Sequence, residues 1–207
     1  GHYEISFSFN KTTDGEYPAS LMLGSDGSLY GSSIVFLFKY TPATKAFQAF
    51  PLKFPFVDGA QSTGGVSVLG ADGNFYGLYG AYGVNGVGLF EVEGDGSNLQ
   101  AFPYYNKIDG GGTPERLIVG SDGNIWLSDY NGVDGYGDIL SLSPSDGTIL
   151  KTLAPFSTSA TVGAYPGVII EGKDGNIWGT TTDYGNASNG HFAAGTVYKL
   201  NVGLPPR

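Results

Sequence analysis

Gly24-Ser25-Asp26-Gly27-Ser28-Leu29-Tyr30-Gly31 returns three times along the chain. The copies are Gly70-Ala71-Asp72-Gly73-Asn74-Phe75-Tyr76-Gly77, Gly120-Ser121-Asp122-Gly123-Asn124-Ile125-Trp126-Leu127 and Gly172-Lys173-Asp174-Gly175-Asn176-Ile177-Trp178-Gly179. The Asp-to-Asp steps are 46, 50 and 52 residues, a period that marks an array of one repeated supersecondary unit. Asp-Gly between apolar runs reads as a type I′ hairpin turn, the tightest link between antiparallel strands. Short apolar stretches precede each turn at 21–23, 66–69, 117–119 and 168–170. A third strand is expected at 36–40, 89–92, 139–142 and 197–200, and a fourth at 47–50, 99–102 and 149–153. Each unit is thus a four-stranded meander of the size of a propeller blade.

The last unit lacks its fourth strand, because the chain runs into Leu204-Pro205-Pro206, where proline opposes pairing. The alternating Tyr3-Glu4-Ile5-Ser6-Phe7-Ser8-Phe9, followed by Asp14-Gly15, resembles the fourth strands that precede Asp58-Gly59 and Asp109-Gly110. The expectation is therefore an all-β protein, a β-propeller of four blades of four antiparallel strands, with the N-terminal strand completing the last blade. It would form one domain over 1–207, with repeats at about 18–57, 65–108, 115–154 and 166–201 closed by 3–9. The competing arrangement is an arc of a larger ring, or half of one completed by a second chain.

Composition agrees with a turn-rich β-protein. Of 207 residues, 35 are glycine and 14% are aromatic, a balance that disfavours long helices. The 41% hydrophobic content is enough to offset chain entropy, so the sequence does not read as disordered. The formal net charge is −9, from 10 Lys and Arg against 19 Asp and Glu, and no basic cluster offers itself to phosphate. Nucleic acid is excluded as a partner on that ground, and an anionic membrane surface would repel the chain. No apolar run reaches the roughly 18 residues of a membrane-spanning helix, so membrane insertion is not expected. The absence of cysteine removes disulfides, thiolate metal sites and cysteine nucleophiles together. Gly1-His2 reads as the remnant of a purification tag, so His2 carries no functional weight.

The repeats resemble the GloVer (Gloeobacter–Verrucomicrobia) tandem repeats. The last copy carries the resemblance best, in Gly167-Val168-Ile169-Ile170, Asp174-Gly175-Asn176-Ile177-Trp178-Gly179-Thr180-Thr181 and Gly195-Thr196-Val197-Tyr198-Lys199-Leu200. The first copy has lost most of its second loop, and the third has Leu127-Ser128 in place of Gly-Thr. The resemblance implies a bacterial protein, secreted or at the cell surface, with a propeller fold, and it brings no catalytic residues with it. Asp-Gly-Asn-Ile-Trp is also similar to the blades of streptogramin-lyase-type propellers, whose catalytic histidine motif is not recognisable here.

The ring of Asp26, Asp72, Asp122 and Asp174 reads as turn caps, since an Asp in this position bonds its own backbone. A calcium loop needs several carboxylates spaced two apart, and only single ones occur, so no cofactor is expected, with structural calcium as the one option kept open. Tyr30, Tyr76, Trp126 and Trp178 share one slot and read as packing between blades. Function is expected on the opposite loops, which are long and irregular. Candidate ligand-binding residues there are Tyr82, Asn85, Asp129, Tyr130, Tyr136, Asp183, Tyr184 and His191, joined by Arg116 and Tyr165 from the links between blades. Tyrosine rings pack on the apolar faces of sugars while amides and carboxylates bond their hydroxyls, so a glycan is the favoured ligand.

Support for catalysis is thin. Beyond His2 the sole histidine is His191, which rules out multi-histidine metal sites, and Gly-x-Ser-x-Gly is absent. The leading expectation is a binding or adhesion module outside the cell, whose partner is a glycan or a surface protein. Two alternatives stand beside it. One is a polysaccharide lyase or hydrolase on the same loop face, with His191 and Tyr184 as base and acid or a carboxylate pair drawn from Asp129, Asp134, Asp183 and Glu115. The other is a structural subunit of a surface assembly that self-associates.

Overall fold

A computed structural model describes residues 1–54, 60–81, 87–102, 114–132, 134–158, 162–184 and 194–206. Among them the only regular elements are strands, in four antiparallel sheets. The first sheet runs β1 (Met22–Leu23), β2 (Leu29–Ser33), β3 (Phe36–Thr41), β4 (Ala46–Pro51) in chain order. The second is β5 (Ala60–Leu69), β6 (Phe75–Ala81), β7 (Val87–Val92), β8 (Gln100–Phe102). The third is β9 (Pro114–Val119), β10 (Ile125–Asp129), β11 (Asp138–Leu142), β12 (Ile149–Leu153). The last has three strands, β13 (Ala164–Glu171), β14 (Asn176–Asp183) and β15 (Thr196–Asn201). Every sheet is a simple meander, as the spacing of apolar runs and Asp-Gly turns predicts.

The turns differ from the expected type I′ by one residue. Gly24 N–H donates to the Ser28 carbonyl at 2.8 Å and Gly27 N–H to the Gly24 carbonyl at 3.1 Å. The same pair of bonds recurs from Gly70 and Gly73, Gly120 and Gly123, and Gly172 and Gly175. Only the glycine after each Asp has positive φ, between 72° and 88°. Type I′ needs two such residues, so these are three-residue loops ending in a left-handed glycine. The aspartate keeps an ordinary backbone because its carboxylate has other work. It accepts from the backbone N–H two residues on, in Ser28, Asn74, Asn124 and Asn176, at 3.0–3.2 Å. It also accepts from the polar tip of the aromatic four residues on: Tyr30 at 3.0 Å, Tyr76 at 2.7 Å, and Trp126 and Trp178 at 3.2 Å. The glycine that opens each motif leaves room for that bond. A Cβ on Gly120 would stand 2.7 Å from the Trp126 indole nitrogen, and one on Gly172 the same distance from that of Trp178.

The chain forms two compact units, residues 1–82 with 89–101, and residues 83–88 with 102–207. In the first unit Tyr30, Leu37, Phe75, Tyr79, Phe90 and Val92 form a buried core between two sheets, with Tyr30 packed on Phe75 at 4.6 Å. In the second unit Trp126 and Ile139 of the third sheet cluster with Ile169 and Ile177 of the last, closed off by Phe156, Val202 and Leu204. Burial of each such side chain contributes about 1.5–3 kcal/mol.

The N-terminal segment corrects the expectation drawn for it. Residues 3–9 form no strand and do not complete the last sheet. Phe7 stacks on Phe47 at 3.6 Å, Phe9 packs edge-on against Phe38 at 5.0 Å, and Lys45 pairs with Glu4 at 3.1 Å. The alternation of Phe7 and Phe9 is satisfied by packing rings on the face of the first sheet, which requires no edge pairing.

Candidate functional site

In the second unit the long β10–β11 loop, the start of β13 and the end of β14 emerge at the same end of their sheets. Tyr165 is the centre of what gathers there. Its ring stacks on Tyr130 at 4.7 Å and 15°, and lies 6.2 Å from Tyr184 at a tilt of 48°. Its backbone N–H donates to the Tyr136 carbonyl at 2.8 Å, which fixes the β10–β11 loop against β13. Thr182 Oγ1 donates to the Tyr165 carbonyl at 3.4 Å from the other side.

Two of these tyrosines hold an unusual backbone. Tyr165 and Tyr184 both have φ of 62°, in the left-handed region, and Tyr165 also precedes Pro166. A non-glycine residue there is strained, and proline further narrows the conformations open to the residue before it. Such strain persists only where the surroundings enforce it, and it concentrates at ligand clamps and active sites. Tyr17, which precedes Pro18 in the first unit, repeats the device with φ of 56° and is largely exposed.

Burial first, then the neighbouring Tyr184, Tyr130, Asp183 and Tyr136, push the Tyr165 phenol above its ordinary value of 10. Like any phenol it is protonated at neutral pH, and the shift extends that state to higher pH. Asp183 closes β14 opposite Ala164 and is half-buried, and its charge is near enough to Tyr165 to contribute to that shift. Three rings with apolar faces, phenol hydroxyls and one carboxylate form a surface suited to polyhydroxylated ligands.

Five of the candidates read from the sequence thus come together: Tyr130, Tyr136, Tyr165, Asp183 and Tyr184. Asp129 is turned inward instead. It is buried, and its Oδ1 accepts from the backbone N–H groups of Asn131 at 3.2 Å and Gly132 at 3.4 Å, so it holds the loop that carries Tyr130. Arg116 is exposed on β9, opposite Ser128. Tyr82, Asn85 and His191 lie outside the described residues. Sequence reasoning missed Asp138, which is buried directly opposite Asp129 at the mouth of the same loop. That pairing emerges only from the β10–β11 register. Among the described residues no group of three His, Cys, Asp or Glu is placed to hold a metal ion.

No family model matches the chain, and no curated protein matches it. Solved structures do. The chain is similar to a luciferin-regenerating enzyme at 15% identity and a TM-score of 0.55, over 91% of this chain and 62% of that one. It is similar to a gluconolactonase of Xanthomonas campestris at 12% identity and a TM-score of 0.53, over 93% and 65% respectively. The chain therefore spans less than two thirds of the length of either. At these identities the likeness concerns the fold, which is β-propeller-like.

Proposed function

We propose that this chain is a non-catalytic binding module, secreted or held at a bacterial cell surface, that takes carbohydrate on the Tyr130–Tyr165–Tyr184 surface. The observation that carries the reading is the convergence of three tyrosine rings and Asp183, with two of the tyrosines kept in strained backbone. Sugar rings stack on Tyr184, which is 39% exposed, while the Tyr165 hydroxyl and Asp183 bond their hydroxyls. The acidic balance of the chain favours neutral or basic glycans over sulfated or uronate-rich ones. The extracellular placement rests on the resemblance to GloVer repeats, and the reading of the chain as four blades of one propeller domain rests on the four in-order copies of its turn motif.

A glycan array spanning neutral, amino-sugar and acidic polysaccharides tests the proposal. Binding to a defined neutral or amino-sugar class, lost in Tyr184→Ala, is expected. Absence of binding across the array, or release of oligosaccharide products from a bound polysaccharide, contradicts it.

A further inference from the structure

We propose that Thr181 is the positioning residue of the tyrosine surface, holding through Thr196 the chain that enters β13 so that Tyr165 keeps its left-handed backbone against Tyr130 and Tyr184. The inference rests on reading Tyr165 as part of a ligand site. Thr181 lies near the end of β14 and is 5% exposed. Opposite it stand Thr196 on β15 and, on β13, Pro166, the residue after Tyr165. Thr196 N–H donates to Thr181 Oγ1 at 2.9 Å, and the two hydroxyls are 2.8 Å apart. Thr196 Oγ1 donates in turn to the Val162 carbonyl at 3.3 Å. Since that bond uses the Thr196 hydroxyl proton, the Thr181 hydroxyl is the donor between the two. One relay therefore runs from β14 through β15 to the residue before Gly163.

Gly163 rests directly on this pair. Its φ is 80°, and a Cβ there would overlap Thr181 Oγ1 and stand 3.0 Å from Thr196 Oγ1. Its carbonyl accepts from the Ser157 N–H at 3.0 Å. The backbone is thus fixed two residues before Tyr165 by the threonines, and one residue after it by the pairing of Pro166 with Thr181. Pro166 disfavours right-handed helical backbone at Tyr165, and the two fixed ends impose the φ of 62°. A left-handed tyrosine is costly, and it persists only because its surroundings over-determine it.

The first unit repeats the device with its own residues. Gly15 has φ of 82°, and a Cβ there would overlap Ser33 Oγ, which donates to the Asp14 carbonyl at 3.1 Å. Two residues on, Tyr17 holds φ of 56° before Pro18. Ser33 and Thr181 both stand seven residues after their turn aspartate, and Tyr17 and Tyr165 both stand nine before it. In the other two copies the first of these slots holds Tyr79 and Asp129, and the second holds Thr63 and Thr113. A small buried hydroxyl thus accompanies the tyrosine-proline pair in the two copies that have it, and is replaced in the two that do not.

Thr181→Val keeps the shape and removes the hydroxyl, Thr181→Ser keeps the hydroxyl, and Thr196→Val cuts the link to Val162; circular dichroism checks the fold of each. The Tyr165 backbone is read without any ligand, from its HN–Hα coupling and Cα shift by NMR. Affinity for the strongest ligand from the glycan array is read by calorimetry. Thr181→Val and Thr196→Val are each expected to move Tyr165 out of the left-handed region and to weaken binding at least about tenfold. Thr181→Ser is expected to retain both the backbone and the affinity. A folded valine variant whose Tyr165 backbone is unchanged overturns the proposal, as does one that binds as tightly as wild type. A wild type that binds nothing on the array contradicts the carbohydrate reading alone, because the Tyr165 backbone of the variants still decides the role of Thr181.

Discussion

Asp122 binds the Asn124 backbone and the Trp126 indole at once, and Asp26, Asp72 and Asp174 do the equivalent in their own copies. Removing the carboxylate leaves the N–H of a fully buried indole without its acceptor. Asp122→Ala is therefore expected to lower stability by about 1–3 kcal/mol in urea denaturation, while Asp122→Asn keeps an acceptor and recovers much of the loss. Equal stability of the alanine variant and wild type would contradict this account of the repeated Asp. Tyrosines give a second prediction. Burial drives the phenols of Tyr76 and Tyr198 well above 10, and Asp72, which accepts from the Tyr76 hydroxyl, adds to the shift there. The folded state thus favours their neutral forms, so their contribution is complete below pH 10 and is lost as pH rises beyond it. Lys39 acts in the same direction, raised to about 12 by Asp26 and Tyr30. The melting temperature is expected to fall steeply between pH 10 and 12, and Tyr198→Phe is expected to flatten that fall. The turn role of the aspartates was legible in the sequence, because Asp-Gly has few other uses. Their second bond was not, since it depends on how far the aromatic tip reaches back over the turn.

Strands explain the one copy of the motif that departs from the rest. Gly31 lies opposite Phe38 and Gly179 opposite Tyr198, and a Cβ on Gly179 would stand 2.5 Å from the Tyr198 hydroxyl. In the third sheet the slot holds Leu127, and its partner is Leu140, which is smaller than an aromatic ring. Glycine against an aromatic and leucine against leucine are two ways of filling one space. Gly179→Ala is expected to destabilise the last sheet, and Tyr198→Leu to restore part of the loss when added to it. Strictly additive effects in the double-mutant cycle would contradict that coupling. A similar exchange affects the lysine: where Ser141 takes the slot of Lys39 and Lys199, Lys151 reaches over Trp126 from the next strand. Strand positions were readable because apolar runs and turns alternate without interruption. The N-terminal segment was misread because alternation reports which side chains share a face, and says nothing of whether a sheet edge or a sheet face receives them.

At the scale of the whole molecule, repetition carries the fold and the irregular loops carry the candidate site. The β-propeller-like fold is shared with enzymes at identities too low to transfer an activity. The loop logic of the repeats was enough to gather Tyr130, Tyr136, Tyr165, Asp183 and Tyr184 as candidates, because those loops emerge at one end of their sheets. It failed for Asp129, whose short side chain finds backbone donors in its own loop before it can reach outward. Nor does residue type reveal left-handed backbone at Tyr165 and Tyr184, which is imposed by the elements around them. The most direct test is calorimetric titration of the strongest ligand from the array into wild type and Tyr165→Ala. Saturable binding at one site per chain is predicted for wild type, with loss of at least about tenfold in affinity for Tyr165→Ala. Undiminished binding by Tyr165→Ala, with its fold intact, would contradict the claim that this tyrosine surface is the ligand site.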